Sequence, residues 1–148
     1  MDTADVAAAR FREGYSCSQS VFSALAQRWC IDLEVSLRVA AGFGGGMARS
    51  ARTCGCVTGA IMALGLAQEG IGPEVNRAEK EKTYAVCRQF MQRFESRHGS
   101  ILCAKLLGCD ISTPEGLAKA RQYGLFEARC GVLVRDAVRI AQDTLAGL

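Results

Sequence analysis

The chain reads as all-α, a single-domain helical bundle of about six to eight helices. Three observations carry that reading. Apolar residues recur at spacings of three and four along most of the sequence, as a helix with one buried face requires. No stretch alternates with period two for long enough to make a strand. Glycines punctuate the periodic segments where helix C-termini are expected, and only 2 prolines and 7% aromatic residues argue against a many-turned β-sandwich.

The elements follow in order. Asp5–Arg12 is a short helix ended by Gly14. Ser18–Trp29 carries Val21, Phe22, Leu25 and Trp29 on one stripe. Leu33 to Ala41 ends at the run Gly42-Phe43-Gly44-Gly45-Gly46. Thr53–Gln68 is the apolar central helix, closed by Gly70 and Gly72. Its uncharged core, Val57–Ala67, is too short for the roughly 20 residues of a membrane span and reads as buried. Asn76–Arg97 is long and amphipathic, with Tyr84, Cys87, Phe90, Met91 and Phe94 on its apolar face, and Gly99 stops it. Ser100–Leu107 is short and ends at Gly108. In Ser112-Thr113-Pro114-Glu115 a hydroxyl cap precedes a proline in the first turn, where the missing N–H costs little. That helix ends near Gly124, and the last runs from Gly131 to Leu145 with Val134, Val138, Ala141 and Leu145 on one face. No linker, low-complexity segment or fixed-period repeat divides residues 1–148, so one domain is expected.

Composition narrows the function. A chain of 148 residues buries enough surface to fold without disulfide staples. The net charge of +3 is too mild for a nucleic-acid protein. A single histidine, His98, rules out a multi-histidine metal site within one chain; its place before Gly99 suits the negative end of the helix dipole. The N-terminus lacks the basic start and apolar run of a secretory signal, so a cytoplasmic protein without membrane insertion is expected. There, four structural disulfides would be unusual.

The 8 cysteines therefore hold the chemistry. Cys17, Cys54, Cys103 and Cys130 each stand where a helix is expected to begin, where free N–H groups and the positive dipole end favour the thiolate. Arg49 and Arg52 add positive charge near Cys54, and Arg129 does so beside Cys130. Cys87, Cys30 and Cys109 read as packing residues or auxiliaries, because free cysteine often packs as a small hydrophobe. Cys54-Gly55-Cys56 is a Cys-x-Cys pair, and no Cys-x-x-Cys-His haem motif or compact ferredoxin run occurs. The glycine run lacks the Gly-Lys-Ser/Thr of a P-loop and follows a helix. It suits close backbone approach to a cofactor better than nucleotide binding.

These boxes resemble a known family. Gly14-Tyr15-Ser16-Cys17-Ser18-Gln19-Ser20-Val21 resembles the first cysteine box of the C-GCAxxG-C-C family, which is described only by a redox role. Ala41-Gly42-Phe43-Gly44-Gly45-Gly46-Met47 with Cys54-Gly55-Cys56-Val57-Thr58-Gly59-Ala60 resembles its central box. Gly99-Ser100-Ile101-Leu102-Cys103 and Leu106-Leu107-Gly108-Cys109-Asp110 resemble the third, and Cys130 with Val134 completes the pattern. The resemblance implies a small helical protein whose characteristic cysteines are Cys17, Cys54, Cys103 and Cys130, the four already singled out by position. It also implies kinship with the non-haem part of split-Soret cytochromes, where a similar region is associated with an iron–sulfur centre. Cys56 stands where the family has alanine, which leaves open whether Cys54, Cys56 or both are ligands.

Three functions follow as expectations. The first is an electron carrier or redox sensor with an iron–sulfur cluster on Cys17, Cys54, Cys103 and Cys130, with Gly44 and Gly45 near the cluster, serving an unidentified redox partner protein. The second is a metal-free thiol–disulfide oxidoreductase or thiol sensor, with Cys54 attacking and Cys56, Cys17 or Cys103 resolving. The third is a non-catalytic helical protein with a structural zinc, which could form a homodimer.

Overall fold

A computed structural model describes the whole chain, Met1–Leu148, and its eight α-helices with no strand match the expected class. Helix α1 spans Thr3–Glu13 and begins before the expected Asp5 because Asp2 and Asp5 form a reciprocal capping box. Helix α2, Cys17–Ala26, is capped in the same way by Ser16 and Gln19, and a 3₁₀ turn carries the chain on to Trp29. Helix α3 is Leu33–Ala40, started by the Asp32 carboxylate.

Helix α4, Gly55–Gly65, is shorter than Thr53–Gln68 at both ends. Thr53 is instead drawn into an isolated antiparallel bridge with Leu102, and Cys54 caps the helix, its Sγ accepting from the Cys56 N–H at 3.4 Å. The same bridge holds Leu102 extended, with φ −90° and ψ 130°, so α6 is only Cys103–Leu107 rather than Ser100–Leu107. Helix α5, Pro73–His98, starts with proline in its first turn and stops at left-handed Gly99. Helix α7 is Pro114–Gln122, capped by the Thr113 hydroxyl. Helix α8, Gly131–Ala146, continues without a break from a π-helical turn over Phe126–Cys130.

Helix α4 lies at the centre because its side chains are small enough to be covered on nearly every side; Val57, Ala60, Ala63 and Leu64 are buried. Helix α2 packs on it closely enough that a Cβ on Gly59 would come within 2.8 Å of the Ser18 carbonyl oxygen. Helix α8 covers α4 and is clasped by α1, with Arg135 on Asp5 at 2.6 Å, and by the second half of α5. Phe90 and Phe94 of α5 are fully buried, whereas Tyr84 is exposed, so the apolar stripe of that helix enters the core only in its later turns. His98 does more than sit near a helix terminus: its Nε2 lies 3.0 Å from the buried Asp136 carboxylate and its ring packs on Phe94. A second, smaller core joins Cys103, Leu107, Ile111 and Ala120 at the α6–α7 end.

Candidate functional site

Cys17, Cys54, Cys103 and Cys130, one from each of four chain segments, line a single cavity of about 560 Å³ at the seam between the two cores. Gly44 and Gly45 line it as well.

Local structure explains the convergence. The backbone of Arg52–Cys54 pairs antiparallel with Ile101–Cys103: the Cys54 N–H donates to the Ile101 carbonyl at 2.7 Å, and the Cys103 N–H donates to the Arg52 carbonyl at 2.6 Å. Across a bridge at Thr53 and Leu102, Cys54 and Cys103 fall on the same face, because side chains alternate along extended chain. Cys17 is the first residue of α2, and Gly55 makes room for it: a Cβ there would meet the Cys17 sulfur at 2.5 Å.

Cys130 arrives differently. The expected fresh helix start at Gly131 is absent, since the π turn keeps Cys130 in right-handed helical geometry with φ −68° and ψ −34°. Cys130 therefore gains no free helix N-terminus; the wide turn only directs it to the cavity. Arg129 is likewise engaged elsewhere, its Nη1 donating to the Leu107 carbonyl at 3.1 Å at the end of α6.

The connection before Cys54 has an unusual conformation. Gly45, Gly46, Met47, Ala48, Arg49 and Ala51 all have φ between 51° and 70°. This is a left-handed turn closed by wide hydrogen bonds, from the Ala48 N–H to the Gly42 carbonyl at 2.9 Å and from the Ala51 N–H to the Gly45 carbonyl at 3.0 Å. Each non-glycine residue costs about 1–2 kcal/mol in that region, so the surrounding contacts must impose it. Sequence reasoning located the glycine run but missed the four left-handed residues beyond it, because nothing in Met47, Ala48, Arg49 or Ala51 favours left-handed backbone.

The thiols are not equivalent. The neighbouring thiols of Cys54 and then Cys56 hold the Cys17 pKa well below the ordinary thiol range; the Gly45 and Ser18 backbone N–H groups add to this, against the opposing effect of burial. Cys54 and Cys56 are raised, first by the neighbouring Cys17. Burial, followed by the neighbouring Cys17, pushes Cys103 and Cys130 each up to about 12. Thiolate character thus concentrates on Cys17, where the sequence reading had given the attacking role to Cys54.

Of the Cys-x-Cys pair, Cys54 faces the cavity and Cys56 is fully buried in the main core. Cys87 and Cys109 are partly buried against the two cores, as expected of packing residues. Cys30 is not one: it is exposed and left-handed at φ 56°, at the end of the 3₁₀ turn. No three of the His, Cys, Asp and Glu side chains converge closely enough to hold a single metal ion.

Compared with curated proteins and with solved structures, the chain matches none. A family model described as "Putative redox-active protein (C_GCAxxG_C_C)" matches residues 15–144, a span that contains all four cavity cysteines. The chain belongs to the C-GCAxxG-C-C family.

Proposed function

We propose that the protein is an electron-transfer or redox-sensing protein that holds an iron–sulfur cluster on Cys17, Cys54, Cys103 and Cys130. The convergence of these four cysteines on one cavity carries the reading. An all-thiol donor set suits iron–sulfur chemistry or zinc and disfavours harder metals. A polynuclear cluster offers separate metal atoms to separate thiolates, which suits four cysteines brought from four chain segments to one cavity.

When bound, the cluster would supply one-electron transfer. The chain would supply the rest. Cys17 already favours the thiolate form that ligation needs, and the neighbouring Gly45 N–H would tune the potential. Apolar walls from Leu106, Leu107, Ile111 and Leu133 would limit water around the site.

Anaerobic purification with iron and acid-labile sulfide analysis tests the proposal. Roughly two to four irons with matching sulfide per chain are expected. Cys17→Ser, Cys103→Ser and Cys130→Ser should lose them, and Cys30→Ser should not. A colourless chain that takes up no iron on reconstitution overturns it.

One observation favours a second reading, the closeness of Cys17, Cys54 and Cys56. In a thiol–disulfide exchange, the Cys17 thiolate would attack a substrate disulfide and release one substrate thiolate. Cys54 or Cys56, deprotonated, would then attack the Cys17 sulfur and release the second. The chain gives two electrons and ends as a disulfide, and the substrate disulfide becomes two thiols. Mass spectrometry that finds no bond among these three cysteines after exposure to a disulfide overturns this alternative.

A further inference from the structure

The four cysteines account for only part of the cavity. Most of the remaining lining is apolar, including Leu106, Ile111, Leu117, Phe126 and Leu133. Arg49 and Arg121 are its only charged residues, no carboxylate lines it, and neither guanidinium is in an ion pair. The volume of about 560 Å³ falls within the range of about 300–1,000 Å³ typical of small-molecule sites. Arg49 also stands on the left-handed turn at φ 59°, a costly backbone of the kind that collects at ligand clamps.

We propose that the cavity binds a small organic carboxylate with an apolar body. Its carboxylate lies against Arg49 and Arg121, whose planar donor forks match that group. Its body lies on Leu117, Phe126 and neighbouring side chains. This site goes beyond the iron–sulfur reading and stands without it, because the arginines and the apolar wall are present whether or not a cluster is bound.

Calorimetric titration of the intact chain with acetate, butyrate, hexanoate, octanoate and octanol tests the proposal. Affinity should climb roughly fourfold for each methylene that enters the apolar wall. The double variant R49Q/R121Q should bind octanoate at least about tenfold more weakly and leave octanol unchanged. Arg121→Gln alone, on an exposed helix surface, should show part of the loss, and circular dichroism should report an unaltered fold. Three results overturn the proposal: no carboxylate binding, affinity independent of chain length, or octanoate binding indifferent to both arginines. Chain-length independence would point instead to an acidic protein surface docking on the arginines. Titrations before and after iron–sulfide reconstitution separate the two readings. Arginine-dependent binding without iron uptake removes only the cluster, and iron uptake without binding removes only the carboxylate site.

Discussion

At the scale of residues, the site depends on what surrounds each thiol. The neighbouring Cys54 and Cys56 thiols and two backbone N–H groups favour the Cys17 thiolate, whereas burial disfavours it at Cys103 and Cys130. In the metal-free protein, alkylation of Cys17 by iodoacetamide should set in at lower pH than that of Cys103 or Cys130. Labelling of Cys103 and Cys130 should rise only as pH moves from about 9 towards 12. Peptide mass spectrometry across a pH series reads both, and equal pH profiles for the three would contradict the assignment. Gly55 gives a second prediction. In Gly55→Ala the new methyl would stand 2.5 Å from the Cys17 sulfur, so Cys17 must move. Iron uptake should fall more than the melting temperature, which paired metal analysis and thermal melts would check.

At the scale of elements, the left-handed turn and helix α5 make opposite demands. Ala48 is exposed at φ 51°, a conformation that glycine adopts without penalty. Ala48→Gly should therefore stabilise the chain by about 0.5–1 kcal/mol, after the entropy that glycine adds to the unfolded state. A melting temperature about 2–4 °C higher would report it. Helix α5 divides along its length. Phe90→Ala should cost about 3–5 kcal/mol, because the phenyl ring is fully buried. Tyr84→Ala, on the same sequence stripe but exposed, should stay within about 0.5 kcal/mol. Urea unfolding of the two variants measures the contrast.

At the scale of the whole molecule, raised thiol pKa values couple folding to pH. Cys103 and Cys130 titrate near 12 in the fold, against about 8.5 for an unfolded cysteine. Folding therefore favours their protonated forms. That contribution is complete below the unfolded value and is lost as pH rises through about 9 to 12. Cys17 has the opposite sign, but its contribution is already complete above the unfolded value, so it does not offset the alkaline loss. Urea midpoints of the metal-free protein should fall steadily from pH 9 upward, and Cys103→Ala with Cys130→Ala should lessen that slope, leaving the part due to the raised Cys54 and Cys56. The cavity's position between two cores makes such coupling physically direct, because the thiols are buried where the cores meet.

The sequence by itself determined the helical class, the order of the elements and the four cysteines. Local causes set these: apolar spacing, Ser16 and Thr113 as caps, glycine stops and the family boxes. Tertiary structure decided what no local signal carries. The Thr53–Leu102 bridge shortened two helices and set Cys54 beside Cys103, and the π turn placed Cys130 without a helix start. Pairing across about fifty residues cannot be read from either partner alone. Packing also separated Cys54 from Cys56, since which of two cysteines at a helix start faces the cavity depends on the neighbours that cover them. Arg49 belongs to the same class: its role depends on a left-handed backbone that its own sequence disfavours and the folded contacts impose.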